Sequence, residues 1–351
     1  MGSMNKSLLR LILLFLSIGA VVTHAASDAQ LQWIAFPDAR LQVLGLPWFK
    51  ENAPDLYRFP KTAKATVPAR VWARAVAPDA GRICFSSDTK NLVVRVDPKQ
   101  KRSGYFDVFV DGKLAGSGKP TADGTVALFH ERKSSHKDIT IYLPHNSQVT
   151  VQSIGIDPGA TINPPRKPVK KPPFVVYGSS ILQGTGAAHP SQTYPAVIAR
   201  KLNLDFVNLG FGGAGKAEPA VVDLVNQVDA CCYLFDLGKS YGDQGIEPFA
   251  KMLKTVRGSH PKTPIIVITP IYSTKETEPA YKTKSETLRA WMRDAADQMR
   301  DNGDKNIYVF EGLKLFSEKD KSLFHDPLHP NDEGCELMAN RLLPTVKRAI
   351  R

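Results

Sequence analysis

The chain has 351 residues, enough for two ordinary domains. A hydrophobic share of 42% and a charged share of 23% exclude a disordered or fibrous chain. The formal charge of +12 favours anionic partners such as acidic polysaccharides, but the basic residues are scattered, not striped, and no nucleic-acid motif accompanies them.

In chain order, Met1-Gly2-Ser3 precedes a second methionine, Met4, and reads as cloning residues. Lys6 and Arg10, an apolar run over Leu11–Leu16 and small residues to Ala26 follow. That order of charged, apolar and small residues is a secretory signal cleaved after Ala25 or Ala26. The run is short of the ~20 apolar residues of a spanning helix. A periplasmic or secreted protein without stable membrane insertion is therefore expected over residues 1–26 and beyond.

Residues 31–156 read as an all-β sandwich. Short runs of β-branched and aromatic residues alternate with turn signals: Arg70–Val76, Asn91–Val96, Tyr105–Gly116, Asp138–Leu143 and Val149–Ile156. Asp111-Gly112 predicts a two-residue hairpin turn, which needs positive φ. Residues 157–173 (DPGATINPPRKPVKKPP) form a Pro/Lys-rich connector, because the prolines forbid helix and central strand. From 174 to 351 strands and helices alternate. Strands are expected at Phe174–Tyr177, Asp205–Leu209, Tyr233–Leu237, Pro264–Ile271 and Ile307–Phe310. Helices fall between them, and a last one runs from Asp332 to Ile350. Such repeats build a parallel sheet with helices on both faces, and ligands bind beyond the carboxyl ends of its strands. The four cysteines match no zinc spacing; buried thiols are the plain reading, and one disulfide among them is left open.

Three motifs fall at predicted strand ends. FVVYGSSILQG (174–184) carries Ser180 on a tight turn after the first strand. VNLGFGGAGK (207–216) follows the second strand and lets backbone N–H groups approach a ligand. It is not a phosphate loop, since Lys216 precedes Ala217 where that motif has Ser or Thr. FHDPLHPNDEG (324–334) places Asp326 and His329 three apart in a proline-stiffened loop. A serine nucleophile needs a base, and the base needs an orienting carboxylate.

Taken together the motifs resemble those of the SGNH hydrolases, the GDSL-type esterases. YGSSI is similar to the family's first block, with Ser180 as nucleophile, although Ser179 stands where the family often has Asp. NLGFGGAG is similar to the second block, with Gly213 as the oxyanion glycine. DPLH is similar to the last, with Asp326 and His329 completing a triad. The third block departs: FDLGKSYGD has Ser240 at the position of the family's Asn. Ser240, or the neighbouring Lys239, is a candidate third oxyanion donor; otherwise the backbone N–H groups of Ser180 and Gly213 act alone. The segments GLPWFKENAPDLYRFP (45–60) and VWARAVAPDAGRICFSSDT (71–89) resemble the β-sandwich preceding the hydrolase in one bacterial branch.

The resemblance implies a flavodoxin-like parallel-sheet hydrolase domain preceded by a jelly-roll-like sandwich. It implies a serine esterase acting on O-acylated carbohydrate, acetylated or anionic polysaccharide included, with no metal or organic cofactor. Trp48 and Arg58 are candidates for a substrate-facing wall, against the plainer readings of core packing and an inter-domain ion pair. His189 is a further pocket candidate. Two alternatives stand beside hydrolysis of acyl esters: a glycan-binding protein with decayed catalysis, and a hydrolase of another ester such as a sulfated sugar.

Overall fold

The computed structural model describes residues 31–100, 104–166 and 172–351. The expected secretory signal lies outside the described residues. Two antiparallel sheets form the N-terminal sandwich. One has the strand order Gln32–Ala35, Val151–Ile156, Leu92–Val96, Thr125–Phe129. The other runs Ile162–Asn163, Arg82–Ser87, Lys137–Tyr142, Phe106–Val110, Lys113–Gly118, with Gln42–Leu44 also paired to Arg82–Ser87. Facing residues such as Phe85, Val94, Phe106, Val108, Ile141 and Ile154 are fully buried between them, as inward positions of paired sheets must be. Asp111 and Gly112 adopt φ of 48° and 79° and close the expected hairpin.

Arg70–Val76 is not a strand. Ala69–Ala75 is a helix, opened after Pro68, with Val71 and Ala75 fully buried. Over seven residues this sequence satisfies both a period of two and an i, i+4 pair, and tertiary contact selects the helix. The contact is not with the sandwich. Trp48, Phe59, Ala63, Val67, Val71 and Ala75 share one apolar cluster with Val175, Tyr177, Leu209 and Phe211 of the C-terminal sheet. The connector is also more attached than its prolines suggest. Ile162–Asn163 pairs with Ser86–Ser87 as an edge strand, and Arg166 bonds Asp111 at 2.7 Å.

The C-terminal sheet is parallel throughout, in the order Phe206–Gly210, Phe174–Gly178, Cys232–Asp236, Ile265–Ile268, Ile307–Phe310. In chain order that is 2-1-3-4-5, the flavodoxin-like arrangement. Its strands read as nearly continuous apolar runs because both faces are covered. Val175, Tyr177, Tyr233 and Phe235 pack against the helices Pro219–Asn226, Glu247–Ser259 and Pro279–Asp301. Phe174, Val176, Leu234 and Ile266 pack against Tyr194–Leu202 and Asp332–Ala349. The chain leaves the first strand to one side and returns for the third on the other. That reversal falls at the carboxyl end of Phe174–Gly178, where the Ser180 turn sits. Cys84, Cys232 and Cys335 are buried free thiols. Among the described residues no helix is long and apolar enough to cross a membrane.

Candidate active site

The turn at the end of the first strand is set by close backbone approach. A Cβ on Gly178 would lie 1.9 Å from the carbonyl oxygen of Asp236, so only glycine lets the first and third strands meet there. Ser179 is extended (φ −90°, ψ −170°) and Ser180 opens the short helix Ser180–Gln183. Its Oγ lies 2.8 Å from Nε2 of His329.

His329 is held from its other side. Nδ1 is 2.7 Å from Oδ2 of Asp326. Oδ1 of Asp326 accepts from the backbone N–H groups of Leu328 (2.8 Å) and His329 (2.9 Å). Burial acts against the Asp326 charge. The bonds from His329 and these two N–H groups outweigh it and keep the carboxyl below its ordinary range. A carboxylate only accepts, so Nδ1 carries the imidazole proton and Nε2 is left to accept from the Ser180 hydroxyl. The loop itself is clamped. The His325 N–H donates to the His329 carbonyl at 2.7 Å, and the Pro327 carbonyl accepts from Ser273 Oγ at 2.8 Å.

The glycine loop after the second strand faces the same point. Ala214 N–H donates to the Phe211 carbonyl, closing a β-turn whose third residue, Gly213, has φ +68°. A residue with a side chain is strained in that place. The Gly212 N–H is taken up at 2.7 Å by Oε1 of Gln183. The N–H groups of Ser180 and Gly213 have no acceptor among the described residues. Ser180, Asp326, His329 and the Gly213 loop are thus brought to one edge.

Other expected site residues are placed elsewhere. Arg58 does not face a substrate: it is fully buried. Its guanidinium donates to the carbonyls of Ala77 (3.0 Å), Arg74 (2.7 Å), Asn208 (3.0 Å) and Gly210 (2.6 Å), and pairs with Asp79 at 3.1 Å. Trp48 is core, 8% exposed, with its ring edge-on to Phe59. Lys239 is turned away from an oxyanion role. Its Nζ bonds Glu276 at 2.6 Å and the Ile271 carbonyl at 2.8 Å, and Glu276 is held in turn by Arg289. Burial pulls the Lys239 ammonium down to about 8, against the opposing pull of Glu276. Ser240 lies half-buried in the turn Gly238–Tyr241. His189 is paired with Asp107 of the sandwich at 2.7 Å and stacked on Tyr105.

Motif reading misses the residues behind the site. Asn208 and Asp236 are polar, fully buried positions in apolar strands, which is the signal that marks them. Asn208 donates to the Leu182 carbonyl and accepts from Gly210 N–H. Asp236 accepts from the Tyr194 hydroxyl at 2.9 Å, and burial pushes its carboxyl up to about 6. Ser179 Oγ, buried next to the Ser180 turn, has no hydrogen-bond partner.

Known structures share this fold. A salicylyl-acyltransferase, SsfX3, from a tetracycline biosynthetic pathway superposes with a TM-score of 0.80 at 24% identity, covering 92% of this chain and 99% of its own. A putative GDSL-like lipase from Bacteroides ovatus gives 0.80 at 23% identity, covering 91% and 98%. A family two carbohydrate esterase from Cellvibrio japonicus gives 0.63 at 16%, covering 91% and 98%. These likenesses establish a common fold spanning both parts of the chain. No curated protein sequence matches significantly. The model of the GDSL-like lipase/acylhydrolase family matches residues 170–347, which take in every strand of the parallel sheet and all three motif loops. With half of its length under that match and the serine, glycine loop and histidine converging at one sheet edge, the chain belongs to the GDSL-like lipase/acylhydrolase family.

Proposed function

We propose that the protein is an exported serine esterase that removes O-acyl groups, acetyl the simplest, from carbohydrates. The observation that carries this reading is the unbroken relay from Ser180 Oγ through His329 to Asp326, at 2.8 and 2.7 Å. Ser180 Oγ attacks the acyl carbon while its proton passes to His329 Nε2. Asp326 holds the resulting imidazolium. The negative oxygen of the tetrahedral intermediate is met by the free N–H groups of Ser180 and Gly213, with the Ser240 hydroxyl as third donor. Collapse breaks the ester C–O bond, and the leaving alcohol takes the proton from Nε2. Water, deprotonated by the same nitrogen, then releases the acid and restores Ser180. The carbohydrate part of the reading is supported by fold neighbours that are carbohydrate esterases, one of them solved with cellohexaose. Export is supported by the order of residues at the N-terminus.

The test is hydrolysis of p-nitrophenyl acetate and acetate release from acetylated polysaccharide by wild type and Ser180→Ala. A loss of about 10⁴-fold or more in kcat is expected; retention within tenfold by a folded variant overturns the reading. A second reading has its own support: the acyltransferase neighbour superposes better than the carbohydrate esterase does. In that case a sugar or other alcohol, not water, takes the acyl group from Ser180. Supplying acceptor alcohols and measuring the ratio of transferred ester to free acid decides between them.

A further inference from the structure

The oxyanion loop is held by the N-terminal half of the chain. Gly212 N–H donates to Gln183 Oε1 at 2.7 Å, and Gln183 Nε2 reaches Asp79 Oδ2 at 3.4 Å. Asp79 Oδ2 pairs with the Arg58 guanidinium at 3.1 Å. Arg58 closes the ring by donating to the carbonyls of Asn208 and Gly210, at the end of the strand before the loop. Its guanidinium also lies 4.5 Å over the ring of Phe211, the first residue of the β-turn. Arg58, Asp79 and Gln183 are each at most 1% exposed. Every guanidinium nitrogen of Arg58 has a partner, and each partner is backbone or Asp79.

Two features separate this from ordinary packing. First, Gln183 sits three residues after Ser180 on the same short helix. The side chain that fixes the loop is therefore rigidly tied to the nucleophile. Second, the bond to Gln183 occupies the Gly212 N–H and leaves that of Gly213 as the free donor of the turn. Loss of the Gln183 acceptor would leave the half-buried Gly212 N–H without its partner and the turn free to rotate toward another. An oxyanion donor acts only when it is fixed before the charge develops, and displacement by about 1 Å costs roughly 10²-fold in rate.

We propose that Gln183, Asp79 and Arg58 are positioning residues for the oxyanion hole, and that through them the N-terminal segment sets the geometry of catalysis, which rests on the reading of Ser180 as nucleophile and Gly213 as oxyanion donor. None of the three touches the reacting atoms. Each acts by fixing where the Gly213 N–H stands relative to Ser180.

The experiment uses the full chain. Gln183→Met keeps length and burial but removes the acceptor. Arg58→Met removes the grip on Asn208 and Gly210. Gln183→Glu keeps an oxygen for Gly212 and leaves the Asp79–Arg58 pair in place, one proton shared by the two facing carboxyls standing in for the amide donor. Two readouts are taken: kcat and KM for p-nitrophenyl acetate, and the second-order rate of Ser180 labelling by a fluorophosphonate. In that labelling Oγ bonds phosphorus, fluoride departs, and the phosphoryl oxygen enters the same hole. For Gln183→Met, kcat and the labelling rate are expected to fall together by about 10–10²-fold with KM within threefold. Gln183→Glu is expected to lose no more than half as much on a logarithmic scale. Unchanged kcat and labelling in Gln183→Met, or a loss that appears in KM alone, overturns the proposal. If Arg58→Met does not fold, the Gln183 variants carry the same test. Ser180→Ala run alongside separates the two readings: activity or labelling that survives it overturns the nucleophile itself, whereas their loss with an indifferent Gln183→Met overturns only the positioning role.

Discussion

Asp326 shows how much one carboxylate does in this site. One oxygen holds the His329 ring, and the other accepts two backbone N–H groups from its own loop. An asparagine has a single oxygen. In either orientation its NH₂ group faces a donor, so the loop or the imidazole must give way. Asp326→Asn is expected to lower kcat by about 10³–10⁴-fold, since the ring is left free to take the wrong tautomer. Steady-state kinetics on p-nitrophenyl acetate checks this, with KM expected within threefold. A residue can also be conspicuous in sequence for one reason and matter for another. Arg58 stands out as a charge in an aromatic segment. Full burial and five partners make it a structural clamp, and no nitrogen is left for a ligand.

The last helix, Asp332–Ala349, begins two residues after Pro330 of the Asp326–His329 loop and is capped by Asn331. The Asn331 side chain accepts from Gly334 N–H at 2.9 Å, and Asp332 and Glu333 place negative charge in the first turn. The helix start is therefore fixed next to His329. Removing the cap in Asn331→Ala is expected to cost about 1 kcal/mol of stability, and Asn331→Asp to cost less than half of that. Urea unfolding checks both. The short helix Ala69–Ala75 makes the complementary point. Its seven residues carry no decisive local preference, and only Val71 and Ala75 meeting the neighbouring sheet cluster select its conformation.

At the scale of the whole molecule, the buried carboxyl of Asp236 links stability to pH. Burial raises it from 3.8 to about 6, against the Tyr194 hydroxyl that favours its ionised form. The folded state thus binds this proton more tightly than the unfolded state does. As pH rises through the window between about 4 and about 6, the unfolded state ionises first and stability falls. The sign is opposite to that of a paired surface carboxylate. The total over that window is of order 3 kcal/mol. The groups facing Asp236 are the Tyr194 hydroxyl, from the helix Tyr194–Leu202, and the Ser179–Gly178 turn; Cys335 of the last helix lies near Tyr194. Measured as the difference between wild type and Asp236→Asn by urea unfolding from pH 4 to pH 8, the wild type is expected to lose ground up to about pH 6 and then run parallel. A difference independent of pH would show that Asp236 stays charged or stays neutral throughout.

The two-part order of the chain, the alternation that makes the C-terminal sheet parallel, and the three loops that carry Ser180, Gly213, Asp326 and His329 are legible in the amino-acid sequence. Those features are local. Apolar runs, glycine turns and a proline-stiffened D-x-x-H segment express themselves within a few residues. Only the packed molecule shows that Trp48, Phe59 and the helix Ala69–Ala75 pack on the α/β sheet, that Ile162–Asn163 joins the sandwich, and that Lys239 turns to Glu276. It also shows that Arg58, Asp79 and Gln183 converge behind the glycine loop. The physical reason is the same in each case. A charged or aromatic side chain far along the chain is assigned by whichever buried partner satisfies it. That partner is set by how the sheets meet, and no short stretch of sequence records the meeting.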